Sequence, residues 1–122
     1  MLLHSRFGKL NYMNNKMSWK LKINDKIDPK LEENFPDDPY SDITIHTATQ
    51  QLHLTLAYLS MDSGYFSQID PATQCIHLKH LPEIPLLAVL RALYGGGLEV
   101  SSVADLTEVL KVIEYLDIEE YK

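Results

Sequence analysis

The chain has 122 residues, 45% of them hydrophobic and 23% charged, with a formal net charge of −6. This is the profile of one folded domain and excludes a multidomain enzyme, a collagenous chain and a wholly disordered one. A single cysteine, Cys75, rules out an internal disulfide and favours a cytoplasmic or nuclear setting. The opening Leu2-Leu3 pair is broken by His4, Ser5 and Arg6, and no apolar run approaches the roughly 18 residues of a membrane span. Charge is uneven: residues 1–30 carry seven basic side chains against two acids, residues 31–122 four against fifteen. The basic residues stand singly and the acidic body repels a phosphate backbone, so nucleic acid is not an expected partner.

Residues 1–17, with Gly8, Asn11, Asn14 and Asn15, show no sustained period and predict a flexible leader, the folded domain running from 18 to 122. Trp19-Lys20-Leu21-Lys22-Ile23 alternates apolar and basic residues, which predicts a short strand with one apolar face. After a turn at Asn24-Asp25, Asp28-Pro29 opens a short helix through Leu31 to Phe35, with aspartate as N-cap and proline at the first helical position. Pro36-Asp37-Asp38-Pro39 ends it. Asp42 to Thr47 and Gln51 to Leu54 alternate on either side of a turn, the pattern of a β-hairpin. Short helices follow at Thr55–Met61 and Tyr65–Ile69, then a strand at Cys75–Leu78. Glu83-Ile84-Pro85 opens a helix with Leu86, Leu87, Leu90, Leu93 and Tyr94 on one face, stopped by Gly95-Gly96-Gly97. Ser102 and Asp105 stand at capping spacing before a helix marked by Val103, Leu106, Val109, Leu110, Ile113 and Leu116, and Asp117 to Tyr121 begins another. Strands and helices are partly segregated, so the class is α+β.

Little in this chain carries chemistry. Cys75, His77 and His80 offer thiolate and imidazole, the ligands zinc prefers, but 75 and 77 share a strand face while 80 falls beyond its end. The expectation is a small buried thiol beside solvent-facing imidazoles, with a Cys/His metal or thiol protein as the competing reading. No base is placed to activate Cys75, Gly95-Gly96-Gly97 lacks the Gly-Lys-Ser/Thr ending of a phosphate loop, and Asp37-Asp38 and Glu119-Glu120 are adjacent solvated acids. No catalysis, cofactor, metal or small-molecule substrate is expected. What remains is apolar surface at the Trp19–Ile23 strand and the Leu31–Phe35 turn, which packs on the domain's own body or on a partner.

Six pieces of the chain, in register, resemble a known family. They are Ser41-Asp42-Ile43-Thr44-Ile45, Leu52 through Leu59, Ser63-Gly64-Tyr65-Phe66, Ile76-His77-Leu78, Leu90 through Gly96, and Leu106 with Ile113 through Ile118. Together they resemble the BTB/POZ domain over about residues 31–122, as a divergent BTB-only chain or fragment. The resemblance implies an α+β fold, a small mixed sheet flanked by a cluster of short helices, working as a protein–protein interaction module. It implies a homodimer with Trp19, Leu21, Ile23, Leu31 and Phe35 at the interface, and a partner surface around Asp42, Ile69, Asp70, Tyr115 and Ile118. The implied role is an adaptor, with a cullin ubiquitin-ligase scaffold as the candidate partner, and a scaffold or decoy without cullin binding as the alternative. Two departures stand out. The family's Ala-His-Lys is Leu54-Thr55-Leu56 here, so Asp42 lacks its lysine and is expected near water or with another donor. The stretch Ser67 to Gln74 lacks the glutamate of the hydrophobic-x-Glu motif found in many cullin-binding members.

Overall fold

The computed structural model describes residues 7–13, 16–21, 29–100 and 102–118. The strands are β1 (Phe7–Met13), β2 (Lys16–Leu21), β3 (Ile43–His46), β4 (Gln51–Leu54), β5 (Cys75–His77) and β6 (Leu98–Val100). The helices are α1 (Leu56–Ser60), α2 (Gly64–Ser67), α3 (Glu83–Leu93) and α4 (Val103–Tyr115), with a 3-10 helix at Pro29–Asn34. Two three-stranded sheets result, ordered β1-β2-β6 and β4-β3-β5. The first is antiparallel throughout; in the second β3 pairs antiparallel with β4 and parallel with β5, which makes it the small mixed sheet expected.

The N-terminal segment departs from expectation. Residues 1–17 are not leader alone: Phe7–Met13 is a strand, with Leu10 opposite Trp19 and Met13 opposite Lys16, and a domain start at 18 falls inside β2. The signal is the alternation Lys9-Leu10-Asn11-Tyr12, a run short enough to be hidden by the asparagines around it. β2 joins the body by pairing Trp19, Lys20 and Leu21 with Val100, Glu99 and Leu98. Ile23 and the turn at Asn24-Asp25 lie outside the described residues. The turn before Phe35 is a 3-10 helix, closed by the Phe35 amide on the Glu32 carbonyl (3.0 Å).

The core lies between the inward face of the mixed sheet and helices α3 and α4, which pack on each other. Alternation sends Ile43, Ile45, Leu52, Leu54 and Ile76 inward, where all are buried. From α3 come Leu86, Val89, Leu90 and Leu93, spaced three or four apart, with Val89 rather than Leu87 completing the buried stripe. Val109, Val112 and Ile113 come from α4, while Val103, expected on the core face, is 64% exposed at the helix start.

The two long helices end alike. After α3, Gly95 (φ 93°) donates to the Ala92 carbonyl and Gly96 to that of Arg91; after α4, Asp117 (φ 55°) donates to Glu114 and Ile118 to Ile113. Both are Schellman turns, in which a left-handed residue lets two amides satisfy carbonyls of the last turn. The helix expected from Asp117 therefore does not begin there. Instead Ile118 forms a bridge to Ser63, the Gly64 amide donates to the Asp117 carbonyl (2.7 Å), and α2 is locked to the end of α4.

Candidate protein interface

A buried polar knot holds the segment in front of the hairpin. Asp38, read from sequence as a solvated acid, is only 2% exposed. Its carboxylate accepts from the Tyr94 hydroxyl (2.8 Å), the Thr55 hydroxyl (2.7 Å) and the Tyr40 amide (2.9 Å), and Tyr94 Oη in turn accepts from the Thr55 amide (2.6 Å). Burial pushes the Asp38 carboxyl up, but these three donors outweigh it and hold it below its ordinary range. Burial, and acceptance by Asp38, push the Tyr94 phenol up, so it stays a donor. Phe35 belongs to this knot. It is buried, edge-on to Tyr94 at 5.9 Å, with the Arg91 guanidinium 5.5 Å over its ring, and so is a core residue rather than a dimer contact. Leu31 is half-buried against the same core.

The candidate partner residues divide into three. Asp42 and Ile69 come together in a shallow groove of about 270 Å³ whose walls include Leu56, Ala57 and Pro71. Asp42 is exposed and has found another donor, the amide of Leu56, at 2.8 Å. In place of a lysine it thus takes the first N–H of α1, where a negative charge is favoured. Asp70 lies just past the groove in a turn, its carboxylate accepting from the Ala72 amide. Tyr115 stands elsewhere, in an aromatic cluster with Tyr65 (5.5 Å) and His80 (4.9 Å), and is 42% exposed. Burial, then the neighbouring Tyr115, push the Tyr65 phenol up. Ile118 is fully buried, the hydrophobic partner of Ile113 in the turn after α4, and is not part of any surface. Trp19 and Leu21 lie on β2, opposite Val100 and Leu98.

Cys75 is also placed differently from expectation: it is exposed. Ile76 has the inward parity in this three-residue strand, so Cys75 and His77 both point outward. His80 is with Tyr115, not with the thiol. The imidazole that does join Cys75 and His77 is His46, which the parallel register sets opposite His77; their rings stack at 4.6 Å. That partnership depends on which strand lies beside β5, which spacing along the chain does not encode.

A family model for the BTB/POZ domain matches residues 31–122. The chain belongs to the BTB/POZ domain family, a family of protein–protein interaction modules. No curated protein matches it closely. Among the described residues no helix is long and apolar enough to cross a membrane.

Proposed function

We propose that this chain is a noncatalytic adaptor of the cytoplasm or nucleus, self-associating through the β1–β2 hairpin and seating a protein partner against the groove of Asp42 and Ile69. The family match over residues 31–122 carries the reading. The groove supports it: at about 270 Å³ it is shallower than the roughly 300–1,000 Å³ pockets that enclose small ligands. Apolar walls with a carboxylate at the edge suit a peptide segment or helix of another protein. The leading partner is a cullin scaffold of a ubiquitin ligase. The Ser67–Gln74 stretch without a glutamate favours the second reading, a scaffold or decoy that dimerises and leaves cullins alone.

Light scattering behind size exclusion tests both parts, on the chain alone and mixed with a cullin N-terminal domain. The expected result is a dimer that takes up the cullin, an Ile69→Asp variant that stays dimeric without uptake, and a Trp19→Glu/Leu21→Glu variant that runs as a monomer. A dimer that ignores the cullin moves the function to scaffold or decoy. If the double variant keeps its dimeric mass, the hairpin is not the self-association surface.

A further inference from the structure

The mixed sheet uses one face for the core and leaves the other open. On the open face the parallel pairing of β3 with β5 sets His46 opposite His77 and Thr44 opposite Cys75. Since Cys75 and His77 are two apart on one strand, they share that face. Three donors of metal-binding type converge as a result: the ligand atoms of His46, Cys75 and His77 all lie within 4.8 Å of one another.

The geometry points to a site for one zinc ion, held by Cys75 Sγ and one ring nitrogen each from His46 and His77, its fourth position open to water or to a donor from a partner. A thiolate with two imidazoles suits Zn²⁺, whereas Mg²⁺ and Ca²⁺ take oxygen ligands. With Zn–S near 2.3 Å and Zn–N near 2.0–2.1 Å, tetrahedral donor atoms stand roughly 3.3–3.6 Å apart. Cys75 Sγ and His77 Nε2 are already at 4.0 Å, so closing that pair takes about half an ångström of side-chain rotation on an open face. The imidazoles must be neutral to bind.

The site would also act mechanically. β5 is a three-residue strand at the sheet edge, and an ion bridging it to β3 clips it in place, so zinc binding is coupled to sheet stability. None of the three ligands lines the Asp42–Ile69 groove, so the inference stands apart from the partner reading.

Cobalt provides the test, because Cys75 is the only thiol of the chain and a sulfur-to-cobalt charge-transfer band therefore reports on it directly. Titration of the full chain with Co²⁺ is expected to develop that band, with tetrahedral visible bands, at one equivalent per chain, and one equivalent of Zn²⁺ should erase it. Cys75→Ser should abolish the charge-transfer band. His46→Ala and His77→Ala should each weaken binding at least about tenfold, the loss that outer-shell changes alone produce. His80→Ala should leave binding within about twofold, since that ring is on Tyr115. Far-ultraviolet circular dichroism shows that each variant is folded; His46, Cys75 and His77 lie on the sheet surface and His80 in the turn after β5. No band in the parent chain overturns the site, as do a band unmoved by both histidine changes and one ion bound per two chains.

Discussion

Helices α3 and α4 pack against each other, and their four ends draw on residues of different kinds. At its start α4 is capped locally, Ser102 Oγ accepting from the Asp105 amide at 3.1 Å. The start of α3 has Pro82 at the cap and no side-chain bond there; its first residue, Glu83, reaches instead across to the β3–β4 turn, accepting from Thr49 Oγ1 and from Gln50 Nε2 (3.0 Å). At the other ends the assignment reverses: glycine takes the left-handed position after α3, and Asp117 takes it after α4. Each helix therefore has one terminus built from local residues of the expected type and one built from a residue whose role depends on what the fold brings to it. The non-local termini tie the helices to the sheet and to α2.

The comparison breaks most visibly at Gly64. A Cβ there would stand 2.0 Å from Asp117 Oδ2, so Gly64→Val should cost about 3 kcal/mol by overpacking, and adding Asp117→Gly should return much of it. Thermal denaturation of the singles and the double gives the coupling directly. Next comes Tyr94, the capping residue of α3. Tyr94→Phe leaves the Thr55 amide and the Asp38 carboxylate each short of a partner and should cost about 2 kcal/mol in urea denaturation. Smaller again is Gly95→Ala, which puts a Cβ on a left-handed residue at a cost of about 1 kcal/mol; Asp117→Asn should stay within about 0.5 kcal/mol, because asparagine tolerates that conformation. A cost for Asp117→Asn that matches Gly95→Ala would show that the two turns are not equivalent.

The smallest expected effect is read in pH. The Thr47 and Thr49 side chains lead the causes that draw the Glu83 carboxyl from 4.5 down to about 2. A depressed value in the folded state means that its contribution is complete above about 4.5 and is lost as pH falls toward about 2. Glu83→Gln should therefore flatten the loss of stability across that window and change little above it. An acid limb with the same shape in both proteins would remove Glu83 from the account.

These ends also show what could be read beforehand. The hairpin, α3, α4, the Ser102 cap and the glycine stop follow from period and from residue type, both local signals. The turn at Asp117 lacks the glycine that announces such turns, so a further helix was the natural expectation. Cys75 in a strand of three residues offers too short a run for parity to assign it to a face, and Asp38 beside Asp37 looks like a surface pair until Tyr94 and Thr55 arrive from elsewhere in the chain. Asp42 was legible in its need for a replacement donor, though not in which one. Pairing across the sheets decided the rest: nothing in positions 46 and 77 alone says that they are neighbours.

The ladder between β2 and β6 extends over three residue pairs and consists of backbone groups. Backbone groups do not distinguish one copy of the chain from another. A β2 supplied by a second molecule would satisfy β6 with the same hydrogen bonds, so exchange conserves the ladder and the balance passes to mass action. Were the proposed self-association to run through this strand, dilution would favour the closed monomer and a high local concentration the exchanged pair, and abundance would set the balance.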